Sequence, residues 1–163
     1  MNVIIVNEKD EIIGYRPRNE RLPSEIGRVS GLVILNSKNE MLIAQRVMSK
    51  KTDPGKWGPA VAGTVEEGET YESNIIKEAE EEIGLIISES DIKFVSHEYR
   101  ETSHKYFSTT FLVVVDKSIE AFKKQDNEVA EIRWVNIEEL RTWYKDSPSD
   151  FIPTFGRYIN IER

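Results

Sequence analysis

The longest uninterrupted apolar run in this chain, Phe111–Val115, is five residues. A membrane-spanning helix needs about 20, so none is expected. Short apolar runs mark buried strands instead, and a length of 163 residues suits one domain. Val3–Val6 and Glu11–Tyr15 flank the polar turn Asn7–Asp10 and read as a hairpin. Val29–Leu35 and Met41–Arg46 flank Asn36–Glu40 and read as a second. Pro59–Val65, Ile92–Arg100, Tyr106–Val115 and Glu131–Val135 add further strands. Between them, Arg16–Gly27 and Met48–Gly58 read as loops, with Pro54-Gly55 as a turn. Helical spacing appears over Thr70–Ile83 and Ile137–Tyr144. Asp150–Ile161 reads as a closing helix, with Pro153 tolerated in its first turn. The expected fold class is α/β: one domain, 1–163, with a mixed sheet and two or three helices.

Charge narrows the function classes. The net charge of −7 argues against a protein that coats a nucleic-acid polymer. The absence of cysteine removes disulfides, thiolate metal sites and cysteine nucleophiles together. Met1–Asp10 lacks a basic start followed by an apolar stretch, so no secretory leader is expected and the cytoplasm is the expected location. Of 29 acidic and 22 basic residues, eight glutamates and Lys77 fall within Gly63–Gly84, which leaves 21 of each sign elsewhere. The whole excess charge therefore lies in one segment.

That segment has helical phasing. Tyr71, Ile75, Ala79 and Ile83 recur every four residues, with Thr70 as N-cap and Gly84 as C-terminal stop. At about 100° per residue, Glu78, Glu81 and Glu82 share one narrow face beside the apolar stripe, while Glu80 points elsewhere. Like charges at these spacings cost about 0.2–0.5 kcal/mol per pair. They also lie toward the helix C-terminus, where the macrodipole disfavours anions. An all-oxygen cluster of this kind suits a hard divalent cation, magnesium or manganese. The plainer reading is a solvated acidic helix with a Lys77–Glu81 ion pair.

The segment Gly63–Leu85, GTVEEGETYESNIIKEAEEEIGL, resembles the Nudix box, G-x5-E-x7-R-E-U-x-E-E-x-G-U with U apolar. Gly63, Glu69, Glu78, Ala79, Glu81, Glu82, Gly84 and Leu85 fall on the pattern, and Lys77 stands where the family usually has arginine. Outside the box, Gln45-Arg46, Pro54-Gly55-Lys56-Trp57 and Ile132-Arg133-Trp134-Val135 follow the family's order. The resemblance implies a Nudix-like α/β/α sandwich and a metal-dependent pyrophosphohydrolase acting on a small phosphorylated substrate, with Mg2+ or Mn2+ as cofactor. It implies Glu78 and Glu82 as metal ligands and Glu81 as a third ligand or the base that activates water. Gly63 would let the loop bend and offer its carbonyl. Glu69 would brace the loop–helix junction through Lys77, which keeps the charge of arginine without its bidentate fork. Dimerisation is common in the family.

The loop before the box carries Arg46, Lys50, Lys51 and Lys56 against Asp53. Arg46 and Lys56 are the better candidates for gripping phosphate. Trp57 is a candidate for stacking on a base, with burial beneath the loop as the alternative. Glu128 or Glu131 is a candidate further carboxylate, against the commoner fate of surface glutamate. Nothing marks His97 or His104 as ligands.

The N-terminal stretch Val3–Gly14 and the segment Asp150–Phe155 resemble the branch that includes isopentenyl-diphosphate isomerases. Those isomerases carry a catalytic cysteine just before the box glycine, where this chain has Ala62, and a metal-binding histidine just after it, where this chain has Thr64. Hydrolysis is therefore the expected activity, and isomerisation is disfavoured. A non-catalytic sensor of a nucleotide or sugar-nucleotide is the alternative class. Against it, a pure binding module gains nothing from clustered glutamates.

Overall fold

The computed structural model describes residues 1–163. Asn2–Val6 (β1) and Ile12–Pro17 (β2) pair antiparallel around the expected turn. Asn7 Oδ1 closes that turn by accepting from the Lys9 and Glu11 N–H groups at 2.9 and 3.0 Å. Ile26–Leu35 (β3) and Glu40–Arg46 (β4) form the second expected hairpin, joined at Leu35↔Met41. Trp57–Pro59 (β5) and Val61–Thr64 (β6) precede the acidic helix Tyr71–Ile83 (α1). Lys93–Glu101 (β7), Lys105–Val114 (β8) and Val129–Asn136 (β9) lead to the helix Ile137–Asp146 (α2).

The nine strands form one mixed sheet organised by β3. Along one edge, β3 runs parallel to β8 from Ile26↔Lys105 to Leu35↔Val114. Along the other it meets β1 at Val6↔Ile26, β6 from Val29↔Thr64 to Leu32↔Val61, and β4 only at the hairpin end. The two arms of that hairpin therefore splay. β4 turns away to pair with β9 and β5, and the chain steps from β5 on one arm to β6 on the other at Ala60.

Both faces of the sheet are covered, which explains the near-continuous apolar run of β3. Leu32 and Ile34 pack with Ile75, Ala79 and Ile83 of α1, together with Phe111 and Val113 of β8. Val33 and Leu35 point the other way, to Leu140 of α2, Leu112 and the C-terminal Phe151 and Phe155. The result is the expected α/β/α sandwich with two helices.

α1 begins and ends where its caps dictate. Thr70 Oγ1 accepts from Ser73 N at 3.0 Å while Thr70 N donates to Ser73 Oγ at 2.9 Å. Gly84 ends the helix at φ 68°, a left-handed conformation that favours glycine. Ile75 and Ile83 are fully buried, each worth about 1.5–3 kcal/mol. That outweighs glutamate repulsion of about 0.2–0.5 kcal/mol per pair, so the acidic helix is held by its apolar stripe.

The C-terminal expectation is overturned. Asp150–Ile161 is not a helix but a chain of short turns, Pro148–Asp150 and Phe155–Arg157. Phe151 bridges to Trp57 in parallel, and Ile152 N donates to Trp57 O at 2.9 Å. Its apolar residues dock as individual plugs: Phe151, Phe155, Tyr158 and Ile159 are all buried. Packing of these four side chains into the core on the α2 side takes the place of a helical hydrogen-bond ladder. No helix of the chain is long and apolar enough to cross a membrane.

Candidate active site

α1 lays its acidic edge against β6. Gly63, within β6, faces Glu78 so closely that a Cβ there would lie 2.5 Å from Glu78 Cγ. This corrects the loop-bending role expected of Gly63. It is a strand residue without left-handed φ, and the bend falls at Gly68, φ 87°. A side chain at position 63 would require Glu78 to leave its present position.

The loop between β6 and α1 is braced from the helix. Lys77 Nζ lies 2.7 Å from Glu69 Oε2, 3.5 Å from Glu66 Oε2 and 3.8 Å from Glu78 Oε1. It does not turn to Glu81, so the solvated-helix pairing is absent. Glu69 Oε1 also accepts from Glu66 N at 2.8 Å and from Asn74 Nδ2 at 3.2 Å. Burial disfavours the charged form of Glu69, but Lys77 and these donors together hold its carboxyl below the usual range. Asn74, fully buried, also donates to Thr64 O at 3.0 Å and accepts from Ser30 Oγ at 2.7 Å. This Ser30–Asn74–Glu69–Lys77 chain fixes the loop to helix and sheet.

The glutamates behave as their phasing predicts, with one difference. Glu80 and Glu81 are exposed; Glu78 and Glu82 are tucked inward. Burial, then the charge of Glu78, then that of Glu128 push the Glu82 carboxyl up to about 8, against a lowering contribution from the Ala62 N–H. Burial likewise raises Glu78, opposed by Lys77 and reinforced by Glu81. Yet the side chains do not gather into a group of three able to enclose one ion. Like charges at these spacings repel and stand apart.

Glu82 opens into a pocket of about 390 Å3 in the wedge where β3 and β4 splay. Its walls include Val29, Ala44, Pro59, Ala60, Val129 and Ile152, and its polar groups include Arg46, Tyr106, Ser108, Glu128 and Arg157. Arg46 lines the pocket, with Nε donating to Thr52 O at 2.9 Å. Lys56 does not: its Nζ is engaged by Ser149 O. Trp57 does not either. It is 6% exposed in the core on the α2 side, edge-on to Trp143 with ring centroids 5.7 Å apart and covered by the Arg133 guanidinium at 4.8 Å. A base cannot stack on it without opening that core, so burial beneath the loop is the outcome. Glu128 joins the pocket, where it pairs with Lys50, whereas Glu131 is exposed and pairs with Arg133. Sequence reasoning missed Asn74, Ser30, Tyr106, Ser108 and Arg157. Only Asn74 carried a signal, as a polar residue one position before the apolar stripe residue Ile75.

The donor set fits a hard divalent cation. It offers oxygen alone, and the charge of Glu78 adds to burial in raising the proton affinity of Glu82. A glycine opens the space beside one of them.

The NUDIX domain family model matches residues 26–155. A Nudix hydrolase of Listeria monocytogenes, described as uncharacterized, is 32% identical over 153 residues, which cover 93% of this chain and 88% of its own. The prenyl-diphosphate phosphatase of Methanosarcina mazei is 29% identical over 155 residues, covering 94% and 90%. An isopentenyl-diphosphate Delta-isomerase of Kocuria rhizophila is 28% identical over 131 residues, covering 77% and 71%. Among solved structures, a Deinococcus radiodurans protein superposes with a TM-score of 0.73 at 25% identity, covering 90% of each chain. The chain thus belongs to the Nudix family. Within it, the chain is an enzyme of the pyrophosphohydrolase class, hydrolysing a pyrophosphate linkage.

Proposed function

We propose that this enzyme is a Mg2+- or Mn2+-dependent hydrolase that cleaves the diphosphate linkage of a nucleoside diphosphate derivative or related small phosphorylated metabolite. The observation that carries this reading is the half-buried Glu82, one turn from Glu78 on α1, lining a pocket that also holds Arg46 and Arg157. Glu78 and Glu82 would hold the metal, with Glu81 as a third ligand or base and the Gly63 carbonyl alongside. Bound there, a divalent cation neutralises phosphate oxygens and lowers the pKa of a water molecule. The chain's own residues do the positioning. Lys77 and Glu69 fix the loop, Asn74 ties it to β3, and Arg46 presents positive charge to the substrate.

A second substrate reading has specific support. Beside its polar groups the pocket has an apolar stretch formed by Val29, Ala44, Pro59, Ala60, Val129 and Ile152. That favours a compact organic diphosphate, in keeping with the relative named prenyl-diphosphate phosphatase. Isomerisation is disfavoured, because Ala62, next to Gly63 in the pocket wall, has no proton to donate. We place the protein in the cytoplasm, as a single-domain enzyme for which a homodimer is the family's common state.

The test is phosphate and pyrophosphate release from a panel of nucleoside diphosphate derivatives and prenyl diphosphates, with and without magnesium. Metal-dependent release from one group names the substrate branch. Metal-dependent ligand binding without release from any member would instead establish the sensor reading.

A further inference from the structure

Glu82 and Glu128 supply acidic groups to the pocket, and Lys50 is already committed to Glu128. The same pocket holds Arg157, Tyr106 and Ser108, and their hydrogen-bonding capacity is not spent within the protein. Ser108 is 1% exposed, yet its Oγ has no partner. Arg157 Nε is buried without a partner too. The Arg157 side chain makes one long hydrogen bond, Nη2 to Tyr106 Oη at 3.3 Å, and no carboxylate neutralises it. Leaving a buried donor unmet costs about 1–3 kcal/mol, more for a charged group. Such groups in a native pocket mark a place where something else supplies the acceptor.

The scaffold holds this arginine in place. Arg157 closes the turn Phe155–Arg157, whose neighbours Phe155 and Tyr158 are anchored in the core at 0% and 4% exposure. Its guanidinium lies 5.8 Å from the Tyr158 ring centroid. Ser108 and Tyr106 come from β8, beside β3. Two hydroxyls and a planar cation, set against a wall of Val29, Pro59 and Ile152, form a donor-rich corner with an apolar flank. Guanidinium is the cation whose fixed fork matches phosphoryl oxygens.

We propose that Arg157, with Ser108 and Tyr106, binds a phosphoryl oxyanion of the substrate. The proposal rests on the hydrolase reading above and assigns further residues of the same site. A diphosphate would meet the glutamates with its scissile phosphoryl group and Arg157 with its other one. The irregular C-terminal segment then acts as a substrate-binding element, because it carries the cation into the pocket.

The test uses the full chain and imidodiphosphate, a non-hydrolysable pyrophosphate analogue, titrated in the presence of magnesium. The wild type binds it, and Arg157→Gln weakens binding by ~10- to 100-fold, the usual weight of a charge-assisted hydrogen bond. Arg157→Lys recovers part of that loss, and Ser108→Ala costs a smaller factor of ~2- to 10-fold. Affinity for magnesium alone and the melting temperature stay at wild-type values in Arg157→Gln. Equal affinity in the wild type and Arg157→Gln overturns the proposal, as does failure of the wild type to bind. A parallel fall in melting temperature and magnesium affinity overturns it as well, by assigning Arg157 a structural role. Glu82→Gln keeps the two readings separate. Metal-dependent turnover lost in Glu82→Gln, with analogue binding unmoved in Arg157→Gln, sinks the oxyanion site alone. The converse pattern sinks the metal assignment alone.

Discussion

Lys77 Nζ stands 2.7 Å from Glu69 Oε2 and joins the middle of α1 to the loop that precedes it. Arginine is the family's usual residue at this position, but lysine here still reaches Glu69 and, more distantly, Glu66 and Glu78. Lys77→Met should destabilise the fold by about 1–2 kcal/mol, a fall in Tm of ~2–8 °C. Lys77→Arg should cost little. The pH dependence has a definite sign. Glu69 titrates below its ordinary value in the folded chain, so its contribution is complete above the usual carboxylate range and is lost as pH falls through its lowered pKa. Thermal melts of both variants near neutral pH and in acid check this. The gap between Lys77→Met and wild type should close in acid.

Metal-free stability should carry the opposite signature from Glu82. Its folded carboxyl is pushed up to about 8, so ionising it works against the fold as pH rises from the ordinary carboxylate range through about 8. Glu82→Gln removes that charge. In chelator it should melt with the wild type near pH ~4 and above it near pH ~9, each ~1 kcal/mol being worth ~2–4 °C. Parallel curves for the two proteins across that range would contradict the assignment of Glu82 as an uncompensated half-buried carboxylate.

Gly63→Ala should damage the site. The added methyl would stand 2.5 Å from Glu78 Cγ and 2.7 Å from its Cδ, so Glu78 must move. The expected cost is about 1–3 kcal/mol of stability, together with a large loss of activity. Turnover at the wild-type level with intact stability would show that Glu78 can rearrange freely.

Asn74→Ala should be more costly than a typical surface change. It removes the donor to Thr64 O and to Glu69 Oε1 and one of the two acceptors of Ser30 Oγ, which keeps its bond to Tyr71 O at 3.1 Å. About 2–3 kcal/mol is expected, read from denaturant midpoints at constant slope. Asn74→Asp should cost at least as much near neutral pH, because it sets a buried carboxylate against Glu69 Oε1 and Thr64 O in place of the amide donor.

The acidic helix was legible because its information is local. Thr70, Gly84 and the four-residue apolar stripe lie within one segment, and caps and periodicity act over that range. The sheet was legible to the level of strands. Its splay was not, because it depends on β3 pairing β8 along ten residues while meeting β4 at only one pair. The C-terminal segment misled for a related reason. Phe151, Phe155 and Tyr158 repeat at helical spacing, yet they are core plugs on a non-helical path held to Trp57. That path puts Ile152, Thr154, Arg157 and Tyr158 into the pocket. A reading that made it a helix had no means to place Arg157 near Glu82, 75 positions earlier in the chain. Local sequence does not decide between pocket and core for Lys56 and Trp57, because the groups that occupy them, Ser149 and Trp143, lie far along the chain.

On the proposed function, the inner glutamates of α1 serve metal-dependent hydrolysis. The most direct measurement is magnesium-dependent diphosphate cleavage by the wild type, Glu78→Gln, Glu82→Gln and Glu80→Gln, with folding verified for each. The account predicts a severe loss of turnover in Glu78→Gln and Glu82→Gln, ~100-fold or more given the usual weight of charge stabilisation in such sites, and near-wild-type turnover in the exposed Glu80→Gln. Near-wild-type turnover in both Glu78→Gln and Glu82→Gln, or a loss in Glu80→Gln as large as theirs, would contradict it.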